Sequence, residues 1–210
     1  MKKLCIRAIY LISLLTLIGC VVGKKVPYEK MKVELDYSGT KSIALAVYDQ
    51  REMVVEGNRK PDFVGYQLSD IGIAWPMGTK SGKNFTDVIQ EVVSQSFKAK
   101  GYTVLLIPTS YKDNYDDLKT RLIQSSSDRL MIIKLKKLQI VMVVATIIDI
   151  DVDVEVFDKS GNMLAVKNFQ KSEQIATDIL GTNYKKYAPE YLEKEIASWL
   201  NDQQLTVELR

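Results

Sequence analysis

Within the stretch Thr146 to Phe157, TIIDIDVDVEVF, apolar and polar residues alternate without a break from Ile148 to Val156, and that pattern limits the fold more than any other feature of the chain. A period of two belongs to a strand, with Ile148, Ile150, Val152, Val154 and Val156 on one face and Asp149, Asp151, Asp153 and Glu155 on the other. One dry and one wet face mark an antiparallel sheet. The DKSGN that follows has hairpin turn chemistry, and MLAVKNF returns as the next strand. LMIIKLKKL, residues 130–138, precedes as another strand, so three consecutive strands are predicted.

The rest of the chain supplies helices and further strands. SIALAVYD, Ser42 to Asp49, reads as a buried strand that ends at the charged DQRE. Phe85, Val88, Ile89, Val92, Val93 and Phe97 recur at helical spacing, with Asn84 as N-terminal cap and Gly101 as C-terminal stop. YTVLLIP follows as a strand closed by Pro108, and Tyr115, Leu118 and Leu122 place a second helix at about Asp113 to Ser125. Tyr184 to Leu200 carries a last helical stripe, with Pro189 kinking it or near its start. Between Arg51 and Lys83, five glycines punctuate a long segment in which FVGYQ and IGIAW are able to pair as a hairpin. The expected fold is a single α+β domain, a mainly antiparallel sheet with helices packed on one face, in the order β-α-β-α-β-β-β-α.

The N-terminus reads as an address. Lys2, Lys3 and Arg7 precede an apolar run from Ala8 to Ile18, the proportions of a secretory signal and short for a bilayer span. Leu17-Ile18-Gly19-Cys20 resembles the lipobox of bacterial lipoproteins, which implies cleavage before Cys20 and acylation of its thiol. Several acyl chains together give stable anchoring, at about 0.8 kcal/mol per buried methylene. Residues 1–19 are thus expected as a cleaved signal, 20–40 as lipidated cysteine and tether with MKVELDY as an edge strand, and 41–210 as the domain. In a two-membrane bacterium, Val21 in place of Asp favours the outer membrane by the usual sorting rule.

Loss of the signal leaves 26 cations against 26 anions, and a neutral chain argues against nucleic-acid binding. Histidine is absent, and Cys5, the only other cysteine, leaves with the signal. That removes the usual acid–base and nucleophile sets and most transition-metal ligands, so neither an enzyme nor a cofactor is expected.

Three groups of residues remain as candidates for chemistry. The carboxylates of Asp149 to Glu155 lie about 6.5–7 Å apart along the strand, too spread to converge on one cation, and Lys134, Lys136, Lys167 and Lys171 on the flanking strands are better partners. Asp49 and Arg51, at a strand end, suit a ligand carboxylate or sugar, although a loop anchor needs the same groups. Phe63, Tyr66, Ile71, Ile73, Trp75 and Met77 form core if their segment folds over the sheet, and a partner patch if exposed. GTKSGK, Gly78 to Lys83, lacks the spacing of a phosphate loop.

The lipobox, the DQR of Asp49 to Arg51, EVVSQSFKAKGYTV at Glu91 to Val104 and DVDVEVFDKSGNMLAVKNF together resemble the YajG-type family of uncharacterised bacterial lipoproteins. The resemblance implies a membrane-anchored α+β domain and carries no catalytic residues. The expectation is an outer-membrane lipoprotein acting as an interaction or assembly module, held to the bilayer by acylated Cys20 and meeting an envelope protein. Its rival is a periplasmic ligand-binding lipoprotein with a cleft between segment 53–82 and the sheet, in which Asp49, Arg51, Tyr66 and Trp75 make contacts.

Overall fold

The computed structural model describes residues 24–69, 71–143, 145–177 and 184–210. Among them run β1 (Lys24–Val26), a 3-10 turn (Tyr28–Lys30), β2 (Ser42–Asp49), α1 (Glu52–Val55), β3 (Phe63–Leu68), β4 (Ala74–Thr79), α2 (Phe85–Ala99) and β5 (Thr103–Leu106). Then come α3 (Tyr115–Gln124), β6 (Arg129–Met142), β7 (Ala145–Asp158), β8 (Met163–Thr177), α4 (Tyr184–Leu200) and α5 (Gln203–Leu209).

The expected single α+β domain is what forms. All eight strands join one sheet, in which the antiparallel β6-β7-β8 meander makes the longest ladders. The other edge of β6 is shared. Its first half pairs in parallel with β2, from Ile43 opposite Arg129 to Asp49 opposite Leu135, and its last residues pair in parallel with β3, from Gly65 opposite Ile140 to Gln67 opposite Met142. The sheet therefore forks, with β5 beyond β2 on one prong and β4 then β1 beyond β3 on the other. Gly65 permits the second prong: a Cβ there would lie 1.9 Å from the carbonyl oxygen of Ile140, so only glycine lets β3 close on β6.

One face of the sheet is covered by α2, α4 and α5. Ile43, Leu45 and Val47 of β2 and Ile148 to Val156 of β7 meet Val88, Ile89, Val92 and Phe97 of α2, and Leu192, Ile196 and Trp199 of α4. Each such fully buried side chain contributes about 1.5–3 kcal/mol. A smaller cluster on the opposite face joins Ala44, Ala46, Leu130 and Ile132 to Leu118 and Leu122 of α3. Asn114 caps α3 by accepting from the Asp116 amide, and Gly101, at φ +94°, stops α2. Asn84 holds the N-cap position of α2 without a side-chain cap bond. Pro189 lies inside α4.

The tether expected over 20–40 is corrected from Lys24 onward. Val26, Tyr28, Met31, Val33, Leu35 and Tyr37 are buried in the main core. MKVELDY alternates as an edge strand should, yet it joins no ladder. Its amides turn to the C-terminal helices instead: Lys32 N–H donates to the Glu193 carboxylate at 3.1 Å, Asp36 N–H to Asn201 Oδ1 at 2.9 Å, and Asn201 Nδ2 to the Glu34 carbonyl at 3.1 Å. Side chains replace a strand neighbour as backbone partners, which satisfies the same polar groups.

Candidate functional site

The end of β2 reaches the point where the sheet forks. Gln50 N–H still donates to the Leu135 carbonyl at 2.9 Å, and then the chain turns into α1, leaving a gap on β6 before β3 joins. Arg51 fills the space between the prongs. Its Nε donates to Asp49 Oδ1 at 2.8 Å and its Nη2 to Asp49 Oδ2 at 2.7 Å, a bidentate pair. Nη1 donates to the Phe63 carbonyl at 2.6 Å, Nη2 also to the Pro61 carbonyl at 3.2 Å, and the guanidinium lies 5.3 Å from the Phe85 ring centre. Asp49 is 3% exposed and Arg51 5%. Donors and acceptors face one another inside the protein, so the pair ties β2, β3 and α2 together. A hollow beside it is lined by Tyr48, Asp49, Gln50, Val55, Tyr111 and Lys112.

Tyr66 and Trp75 belong to the β3–β4 hairpin, away from that pair. Tyr66 stands opposite Pro76 and Gln67 opposite Trp75, so Tyr66 and Trp75 occupy adjacent rows and project from opposite faces. The Tyr66 hydroxyl accepts from Arg59 Nε at 3.1 Å, and the Arg59 guanidinium covers the Phe63 and Tyr66 rings at 5.8 and 5.3 Å. The four residues considered together as ligand contacts do not converge on one cleft. The apolar segment itself divides: Phe63 and Met77, at the base of the hairpin, are buried, whereas Ile71, Ile73 and Trp75 near its turn are exposed. A hollow beside the base is lined by Lys25, Arg59, Lys60, Asp62, Phe63 and Pro76.

The carboxylate row of β7 is a ladder of ion pairs and hydrogen bonds. Lys134 Nζ lies 2.6 Å from Glu155, Lys136 Nζ 3.0 and 2.9 Å from Asp151 and Asp153, and Lys137 Nζ 3.0 Å from Asp149. A bulge between Leu135 and Lys137 lets both Lys136 and Lys137 face outward. The β8 side differs from expectation. Asp149 stands opposite Ser172 and Asp153 opposite Asn168, while Lys167 and Lys171 stand opposite the apolar Val154 and Ile150. Those lysines accordingly reach the helical face, Lys167 to Asp202 and Lys171 to Glu195. Ser172 and Asn168 hydrogen-bond the aspartates instead.

These contacts shift the titration of Asp149 and Asp153. The Ser172 hydroxyl, then Lys137, outweigh burial and hold the Asp149 carboxyl below its ordinary value of 3.8. Burial pushes Asp153 up, but Asn168 and Lys136 together bring it below the same value. Burial, then the hydrogen bond to Glu155, raise the Tyr115 phenol; its hydroxyl donates to Glu155 at 2.7 Å, and Lys134 Nζ lies 3.8 Å from its ring centre. On the other face, burial and the bond to Glu173 push Tyr191 up to about 12.

Cys20 and the rest of residues 1–23, which include the expected signal and lipobox, lie outside the described residues. Among the described residues no helix is long and apolar enough to cross a membrane. Sequence reasoning missed Arg59 and the pair Asn168 and Ser172. The spacing of four between Asn168 and Ser172, matching that of Asp149 and Asp153, was the available signal for the latter two.

No family model and no curated protein matches the chain. Its fold is similar to that of protein XCC0632 from Xanthomonas campestris, a DUF330 protein, with TM-score 0.56 and 11% identity over 86% of this chain and 95% of that one. Lower scores relate it to the PelC dodecamer from Paraburkholderia phytofirmans, at 0.46 and 11% identity over 82% and 94% of the two chains. Lipoprotein GNA1162 from Neisseria meningitidis scores 0.31, at 14% identity over 75% and 99%. The first likeness shows the fold alone, and the other two are too distant in shape to carry an argument.

Proposed function

We propose that the protein is a lipid-anchored lipoprotein of the bacterial outer membrane, facing the periplasm and serving as a non-catalytic interaction or assembly module for an envelope protein. The observation that carries this reading is the Leu-Ile-Gly-Cys sequence four positions ahead of Lys24, where the described domain begins. The resemblance to YajG-type lipoproteins supports it. So does the way the strongest polar constellations are used: Asp49 and Arg51 neutralise each other inside the fold, and the β7 carboxylates are matched by lysines.

Growth with an alkyne fatty acid, membrane fractionation and crosslinking of the parent and a Cys20→Ala variant test this. Label on the parent alone, in the outer membrane, with a discrete crosslinked protein supports the module; an unlabelled parent removes the anchor.

The ligand-binding reading keeps one observation, the hollow beside Arg59 and Lys60, whose cations suit a small anion, while Lys25 at its edge is already paired with Asp62 at 2.6 Å. Asp49 and Arg51 do not line it. Chemical-shift changes at Arg59 on titration with small carboxylates and phosphates would favour that reading over the module.

A further inference from the structure

The direction of β1 fixes the side from which the chain enters the fold. β1 runs parallel to β4, with Lys24 opposite Met77 and Val26 opposite Thr79, so its N-terminal end points toward Trp75 and the β3–β4 turn. A shallow hollow lined by Lys24, Gln67, Leu68, Ser69 and Trp75 confirms that this entry lies beside the turn. Cys20 is four positions earlier, and four residues span at most about 14 Å. An acyl chain on Cys20 therefore tethers this end of the sheet, and no other, close to the bilayer.

The same end carries exposed apolar surface. Ile71 is 81% exposed, Ile73 49% and Trp75 36%. β3 and β6 run parallel to neighbouring turns, which puts Val143, 48% exposed, at the same end. The start of α4 is there too: Tyr191 bonds Glu173 and Glu195 pairs with Lys171, so the helix runs back along β8 from the end at which β8 finishes opposite Ala145. Lys185 and Lys186 thus add cations to the rim.

We propose that this end of the sheet, centred on Ile71, Ile73 and Trp75, is a membrane-contacting surface that seats the hairpin tip in the phospholipid interface of the leaflet holding the Cys20 anchor. The proposal rests on the lipoprotein reading and adds an orientation to it. Scattered exposed apolar residues need no explanation, but three within five residues at a hairpin turn, with an indole and bordering lysines, match the chemistry of a headgroup interface. The short span to Cys20 favours lipid over a protein partner, because it leaves little room for a folded domain between this end and the bilayer.

The two tryptophans of the chain make the test direct, since Trp199 is fully buried and Trp75 is not. The acylated full-length chain is reconstituted into phosphatidylethanolamine and phosphatidylglycerol vesicles with and without brominated acyl chains. Brominated lipid is expected to quench a component of the emission that is missing in Trp75→Phe. The double variant Ile71→Ser, Ile73→Ser is expected to float with the vesicles like the parent, retain its Trp199 emission and lose most of the quenching. A parent that floats while Trp75 ignores brominated lipid and is quenched by aqueous iodide overturns the proposal and leaves the anchor standing. Trp75 shielded from both quenchers in native membranes also overturns it, in favour of a protein partner. A full-length chain with no acyl mass on Cys20 that fails to float removes the anchor and the proposal with it.

Discussion

Asp49 with Arg51 at the fork, and the carboxylates of β7 with the lysines of β6, are made of the same chemical parts in different surroundings. The fork pair is almost wholly buried, and its guanidinium also serves two backbone carbonyls. Along β7 the side chains of Lys136, Asp151 and Asp153 remain between 22% and 36% exposed. Water competes for Lys136, Asp151 and Asp153 and not for the fork pair. A buried pair leaves a naked charge when one partner is removed, whereas an exposed one leaves a solvated group. Charge pairs in this protein therefore grade from fixing topology to fixing register.

The largest test of this contrast is Arg51→Ala, expected to lower the unfolding free energy by about 3–5 kcal/mol in urea titrations. Replacing both partners, Asp49→Leu with Arg51→Met, is expected to recover most of that loss. A loss below about 1 kcal/mol for the single variant would put the fork pair in the exposed class. Glu155→Gln comes next, at about 1–3 kcal/mol, because Glu155 is 5% exposed and its carboxylate serves both Lys134 and Tyr115. Lys136→Ala is expected to cost only about 0.2–1 kcal/mol by the same measurement, a difference that shrinks as salt is added.

The smallest effect is one of pH. Folding holds Asp149 below its ordinary value of 3.8, so its ionised form favours the native state above that value, and the benefit is lost as pH falls through the lower folded value. Stability of the parent should decline as pH drops below about 4, and Asp149→Asn should flatten that decline slightly. An unchanged slope would mean that the bond from Ser172 is not maintained in solution.

Much of this architecture is legible in the chain because periodicity reports burial. The stripe from Phe85 to Phe97 and the alternation from Ile148 to Val156 became α2 and β7 with little change. What stayed hidden depends on partners distant in sequence. Lys24 to Tyr37 looks like a linker because the groups that bind its backbone, Glu193 and Asn201, lie at the other end of the chain. α5 was missed because only Leu205 and Leu209 are buried in it, and its start is a cap at Asp202 rather than an apolar stripe. Alternation alone does not give the register between two strands, so it does not reveal that Lys167 and Lys171 stand opposite Val154 and Ile150 rather than beside the aspartates. The role of Arg51 was half visible: the carboxylate two positions away is in the sequence, and the carbonyls of Pro61 and Phe63 are not.

The shared edge of β6 also governs the order in which the fold can be completed. β2 meets β6 across a separation of 86 positions, that between Ser42 and Asp128 at the mouth of the ladder, and β3 waits for the same strand. As the chain is delivered from its N-terminus, the apolar SIALAVYD and the β3–β4 hairpin emerge before the strand that shelters them exists. The β6-β7-β8 meander closes through neighbouring contacts and is the natural seed, on which the earlier half then docks. That interval is when aggregation competes with folding and when a holdase would help most.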